Sequence, residues 1–205
     1  MSSELIFDEE EHKYTVGERV LPSVTGLMGD FGIVNTEWYG YQARVRGTHV
    51  HKATEYYDEG DLNYEALDPI VKPFVDAYIK FSKESGVTLE HSELRMYDHL
   101  NWYAGTLDRT GFINGKRILF DIKTGTMPNW VHIQLAAYKR LLECHERRLG
   151  IYKPVMEFYA LQLRKDGTYR FNSIPIKKIH EGQKLVDSMV TINNFKRITI
   201  GEKYE

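Results

Sequence analysis

Thiol chemistry is almost missing from this chain, in which Cys144 is the single cysteine among 205 residues. One thiol cannot close an internal disulfide, and by itself it cannot supply a zinc ribbon or hold an iron–sulfur cluster, so a reducing compartment is expected. Long apolar runs are missing too. No stretch reaches 18 apolar residues, and Met1 to Glu11 is acidic where a leader would be basic and then apolar, which points to a cytoplasmic protein with no membrane partner. Glycine and proline, at 16 and 6, are too scarce for a low-complexity chain. No GxxxxGK[ST] phosphate loop occurs, which excludes a P-loop nucleotide motor. What is present is ordinary for a globular protein, with 42% hydrophobic and 27% charged residues, and the length suits one domain spanning 1–205.

The net charge of −2 hides an asymmetry. Residues 139–205 carry 14 Lys+Arg against 8 Asp+Glu, or +6, and residues 1–138 carry 13 against 21, or −8. Two readings are open: solvated helix faces, or a basic wall beside an acidic centre that binds metal and cuts phosphodiesters.

The pattern of elements predicts a mixed α/β (α+β) domain around one central sheet. Leu5 to Val20 reads as a hairpin, and Ser23 caps a short helix through Met28. A long helix is expected from Thr36 to about Asp58. A second starts at Asp68-Pro69 with Ile70, Phe74, Ala77, Tyr78 and Phe81 on its core face, and Ser85-Gly86 stops it. Strand periodicity follows in Thr88 to Asp98, Trp102 to Ile113 and Lys116 to Lys123, an antiparallel meander whose second turn, Asn114-Gly115, is a strong type I′ hairpin signal. A helix over Asn129 to about Arg148, a hairpin over Val155 to Leu163 and Thr168 to Ile174, and a helix from about Lys178 to Lys196 complete the chain.

The Asn114-Gly115 turn fixes a register in which facing residue numbers sum to 229, so Asp108 is expected opposite Asp121. Lys123 lies two residues beyond Asp121 and shares its face. Like charges placed opposite destabilise a sheet unless something neutralises them, and a divalent cation does so directly. An isolated Asp-x-Lys is most often a surface patch. Here Ile118, Leu119, Phe120 and Ile122 make the strand apolar on both faces, so the carboxylates belong to a buried strand, where leaving them unpaired is costly.

Gly105-Thr106-Leu107-Asp108, Asp121-Ile122-Lys123-Thr124-Gly125, and Gln134 with Tyr138 resemble the GxxD, DxK and QxxxY motifs of the RecB-like branch of the PD-(D/E)xK nuclease superfamily. Upstream, Arg46 to Glu55 is similar to the helical motif that carries that branch's metal-binding histidine, which matches His51. Leu21 to Thr25 resembles the start of phage-borne members. The likeness runs from about residue 44 to residue 140. It implies a restriction-endonuclease-like core and a Mg²⁺ or Mn²⁺ site built from His51, Asp108, Asp121 and the carbonyl of Ile122, with Lys123 orienting and helping to deprotonate the attacking water. It further implies a DNA exonuclease that works on ends in phage or bacterial recombination or repair, with a recombination or replication protein as a further partner. Relatives that clamp an iron–sulfur cluster use four cysteines, so no cluster is expected here. The alternatives are a structure-specific or restriction-like endonuclease and a catalytically silent DNA-binding subunit.

Several residues carry two readings each. Gln134 and Tyr138 share a helix face and either brace the site or pack with Trp130 and Leu141. Glu93 is either the extra acidic residue of some relatives or part of a solvated strand face. Glu55, one turn after His51, either accepts the imidazole N–H or lies on the surface. Arg147 and Arg148, with Lys139 and Arg140, either hold phosphates or form a solvated face. Trp38, Tyr39, Tyr41, Tyr56 and Tyr57 either stack on unpaired bases or fill core. The remaining histidines have no ligand-like spacing.

Overall fold

The computed structural model describes residues 4–34 and 41–199. The chain opens with a small antiparallel meander of β1 (Leu5–Asp8), β2 (Lys13–Val16) and β3 (Arg19–Leu21), one strand more than the expected hairpin. Helix α1 (Val24–Asp30) follows, and its Ser23 cap accepts from the Gly26 amide at 2.9 Å. This opening is tied to the main sheet, because the Pro22 carbonyl accepts from the Ala104 amide and Tyr14 Oη meets Thr106 Oγ1 at 2.7 Å.

Helix α2 (Tyr41–Glu59) carries His51, and the predicted start at Thr36 lies outside the described residues. Helix α3 (Lys72–Glu84) buries Phe74, Ala77, Tyr78 and Phe81 as expected. Ile70 corrects the prediction: it is 66% exposed, because Asp68 turns the chain before the helix by accepting from the Ile70, Val71 and Lys72 amides.

The central sheet has the order β4 (Thr88–Asp98), β5 (Tyr103–Ile113), β6 (Lys116–Lys123), β7 (Glu157–Leu163) and β8 (Tyr169–Ile174). Its first three strands form the predicted antiparallel meander. Strand β7 then runs parallel to β6, after the crossover helix α4 (Val131–Leu149), which makes the sheet mixed. Asn114 and Gly115 both have positive φ, 49° and 75°, as a type I′ turn needs. Trp102 has φ 56° and belongs to the preceding turn, so β5 starts one residue later than predicted. Helix α5 (Ile176–Thr199) closes the fold against α4.

Strand β6 is central, and its faces feed two cores. Ile118, Phe120 and Ile122 pack on the α2–α3 side, and Leu119 packs on the α4–α5 side, all fully buried. Each such side chain contributes roughly 1.5–3 kcal/mol of burial, so the strand end that carries Asp121 and Lys123 is held from both sides. Among the described residues, no helix is long and apolar enough to cross a membrane.

Candidate metal centre

The register predicted from the turn holds from Ile113–Lys116 up to Arg109–Phe120, and there the ladder stops. Asp108 and Asp121 are therefore not a ladder pair as expected. The cause is the Asp108 carboxylate, whose Oδ2 accepts from the Ile122 amide at 2.6 Å. Both aspartates are buried, at 6% and 1% exposure. Burial pushes the Asp108 carboxyl up to about 7; the charges of Asp121 and Glu93 add to this and those of His51 and Lys123 oppose it.

Asp121 has the most exacting surroundings. Neither of its buried oxygens has a hydrogen-bond partner. Lys123 Nζ lies 2.6 Å from Oδ2, an ion pair without hydrogen-bond alignment, and Oδ1 has nothing. A buried carboxylate normally collects two or more donors, since leaving it bare costs several kcal/mol, about 2–7 for even a neutral polar group.

Helix α2 delivers His51 to the same place. Its Nε2 is 3.2 Å from the Ile122 carbonyl oxygen, and its Nδ1 is 3.2 Å from Glu93 Oε1 and 3.7 Å from Asp108 Oδ1. Burial lowers the imidazole pKa, but the charges of Asp108 and Glu93 outweigh this and raise it to about 9. His51, Glu93 and Asp108 each offer a ligand atom within 4.8 Å of the others. An imidazole nitrogen, carboxylate oxygens and a backbone carbonyl are the donor set of Mg²⁺ or Mn²⁺, so these residues fit the group; Asp121 lies outside that 4.8 Å group and adds buried oxygens that lack hydrogen bonds.

Glu93 reaches the centre through an unusual backbone. It has φ 47°, and the β4–β5 ladder passes from Ser92–Arg109 to Leu94–Leu107 without pairing it with Asp108. A non-glycine residue in this region costs of order 1–3 kcal/mol and persists where its surroundings impose it. Here the imposing group is Arg109. This arginine is completely buried and donates to Glu93 Oε1 at 2.8 Å, the Asp108 carbonyl at 2.7 Å, Thr54 Oγ1 at 2.9 Å and Tyr78 Oη at 3.1 Å, with Asp58 Oδ2 at 2.7 Å. Burial alone would raise the Glu93 carboxyl, but His51 and Arg109 hold it below the ordinary range. Motif spacing misses Arg109. The available signal is a guanidinium inside an apolar strand, directly after a candidate ligand.

On the α4 side, Lys123 Nζ donates to Gln134 Oε1 at 2.9 Å, and Gln134 Nε2 donates to Tyr138 Oη at 3.1 Å. The pair is buried in the core, and its hydrogen-bond chain ends on the Lys123 ammonium. Gly105 allows this approach: a Cβ there would sit 3.0 Å from Tyr138 Cε1, 3.0 Å from Val24 Cγ2 and 3.3 Å from Leu141 Cδ1. Gly105→Ala is expected to cost about 1–3 kcal/mol by overpacking and to slow the site by shifting Tyr138 and, through Gln134, Lys123. Thermal melts and activity on one preparation check this; an unchanged melting temperature would contradict it.

One expectation needs correction, and the surroundings of several other candidates can be given. The Glu55 carboxylate goes to Lys52 Nζ at 2.9 Å and not to His51, whose acidic neighbour is Glu93. Arg147 stacks on Tyr152 at 4.0 Å, and Arg148 donates to Tyr97 Oη at 2.9 Å. Both lie about 20 Å along α4 from Gln134, in the last turn of the helix. Lys139 pairs with Glu143, and Arg140 with Asp187 and Asp98. Tyr57 packs in the core against Tyr78, and Tyr56 is exposed beside Lys52; Trp38, Tyr39 and the side chain of Tyr41 lie outside the described residues.

A second cluster, Asp98, His99 and Cys144, also lies within 4.8 Å. Its Asp98 carboxylate is already engaged by the Leu100 and Asn101 amides, Asn101 Nδ2 and Arg140, as a turn clamp.

No family model matches this sequence, and no curated protein matches it. The chain is similar in structure to a provisionally assigned exonuclease from Eubacterium rectale, with a TM-score of 0.54 at 14% identity over 89% of this chain and 82% of that one. It also aligns with LHK-Exo in complex with dAMP, with a TM-score of 0.34 at 14% identity over 88% and 94%. The first of these fixes the fold as one shared with that protein.

Proposed function

We propose that the protein is a Mg²⁺- or Mn²⁺-dependent DNA nuclease that hydrolyses phosphodiester bonds from DNA ends. The observation that carries this reading is the bare, buried Asp121 carboxylate beside Asp108, with Lys123 at its edge. His51, Glu93, Asp108, Asp121 and the Ile122 carbonyl would hold the ion. When bound, it would supply Lewis acidity, lowering the pKa of a water and taking up charge that develops on the phosphate.

The chain's own part is to place and exclude. Lys123, held by Gln134 and by Asp121, would donate from its ammonium to the attacking water, orienting it and easing loss of its proton by stabilising the hydroxide charge. Buried Tyr138 keeps its phenol proton, since burial first and the charges of Asp108 and Asp121 next push its pKa well above the ordinary value. It therefore serves as a fixed donor-acceptor behind Gln134. In-line displacement would leave a 5′ phosphate and a 3′ hydroxyl. The resemblance to RecB-like nucleases supports action at ends, in recombination or repair and alongside a partner protein.

DNA topology tests end dependence. With Mn²⁺, end-labelled linear DNA should be digested while covalently closed circles of the same sequence survive, and EDTA should stop all cleavage. Fragmentation of the circles at the rate of the linear form would replace this reading with the endonuclease alternative.

A further inference from the structure

A groove with a cavity volume of about 710 Å³ opens beside the candidate centre, on the far side of the loop that follows Lys123. That loop, Thr124 to Thr126, forms its inner rim and is pinned from two directions. Arg46 donates to the Thr124 carbonyl at 3.3 Å, and Gln162 Nε2 donates to the Gly125 carbonyl at 2.7 Å. One wall is the start of α3, with Pro69, Ile70, Pro73 and Phe74, and the other is the β7–β8 turn, with Arg164 and Lys165.

The lining divides by chemistry. The α3 wall is apolar, and Ile70 is 66% exposed there, although a large aliphatic side chain at the surface gains nothing from water. The charged residues of the lining are Arg46, Arg164, Lys165 and Asp166, three cations against one anion. Asp166 is engaged by its own turn, accepting from the Thr168 amide and hydroxyl. Arg46 is held over the Phe74 ring at 5.2 Å, and its buried Nε has no hydrogen-bond partner. A guanidinium fixed on the rim of a groove suits a phosphate oxygen.

An apolar wall opposite cations is what an unpaired nucleotide needs, because its base offers a flat apolar face and its backbone offers anions. A duplex has its base faces stacked inside except at its two ends, and gives such a wall little to touch along its length. The volume also lies within the roughly 300–1,000 Å³ of small-ligand sites.

Resting on the nuclease reading, we infer that this groove takes one or two unpaired nucleotides of the strand being cut, with bases against Pro69, Ile70 and Pro73 and phosphates on Arg46, Arg164 and Lys165.

The test is fluorescence anisotropy with labelled oligo-dT and with a blunt duplex, in Ca²⁺ and over a salt series, together with Mn²⁺ cleavage by the parent protein. The parent should bind oligo-dT more tightly than the duplex. The double variant Arg164→Ala/Lys165→Ala should lose about tenfold in oligo-dT affinity, and its log K against log salt slope should flatten by about 0.7 for each phosphate no longer neutralised. Ile70→Ala, at an exposed position, should weaken oligo-dT binding about fivefold with the slope unchanged, as removing buried apolar contact area does. Parent-like affinity for oligo-dT in both variants, or a parent that binds the duplex as well as the single strand, would overturn the inference. A parent that fails to cut DNA but shows the predicted binding losses would sink the nuclease reading and leave the groove assignment standing; a parent that cuts while both variants bind normally would do the reverse.

Discussion

Lys123→Ala should bind Mn²⁺ and DNA as the parent does and cleave about 10²- to 10⁴-fold more slowly, the usual contribution of a positioned acid–base group. The expectation follows from where the ammonium is held. It lies 2.6 Å from an oxygen of Asp121 and 2.9 Å from Gln134 Oε1, at the edge of the carboxylates and not among the ligand atoms of His51, Glu93 and Asp108. Removing it takes a positive charge away from the ion's position, so metal affinity has no reason to fall. What disappears is an interaction used chiefly in the transition state, which lowers kcat and leaves KM nearly unchanged. Parent-like rates in Lys123→Ala would refute the role, and loss of metal binding would make the lysine a structural counter-ion.

The second large effect is on stability. Arg109→Met should destabilise the fold by about 3–5 kcal/mol, the range for removing one partner of a buried ionic network. The arginine is fully buried, and its loss would leave the carboxylates of Asp58 and Glu93 without their cation. The Asp58 side chain is 6% exposed, and this burial raises its carboxyl above the ordinary range. Urea unfolding of Arg109→Met, Asp58→Asn and the double variant measures the coupling, and the double variant should recover part of the loss because one of the two stranded carboxylates is gone. A cost below about 1 kcal/mol would mean that the network is open to water. Glu93, released from φ 47°, should then leave His51, and metal affinity should fall with it.

The predicted strands of the sheet and the Asn114-Gly115 turn are legible because alternation and turn chemistry are local, and the turn sets the register as far as Arg109–Phe120. The same ruler fails one step later. It counts backbone pairs, and at Asp108 a side chain takes the amide of Ile122 in place of a carbonyl. Glu93 stays ambiguous for a related reason, since nothing in its flanks announces a left-handed residue inside a strand. Arg109 is invisible to motif spacing because its partners, on α2, α3 and β4, are remote in sequence. Position along α4 sets how far each of its cations lies from the centre, and a count of charges has no geometry; the basic residues of the groove, Arg164 and Lys165, follow β7 instead. The groove escapes a reading of the sequence because Arg46, Ile70 and Arg164 come together only through the crossover that sets β7 beside β6.

The central claim is that Asp121 is buried bare in order to hold a divalent ion. Calorimetric titration of Mn²⁺ into the parent protein and into Asp121→Asn tests it most directly, with a melting curve in EDTA to verify the fold. The parent should bind Mn²⁺. The variant should not, while remaining folded with a somewhat lower melting temperature, because an amide keeps the side chain's size but removes the carboxylate charge that pairs with Lys123. Equal Mn²⁺ binding by a folded Asp121→Asn protein would contradict the claim.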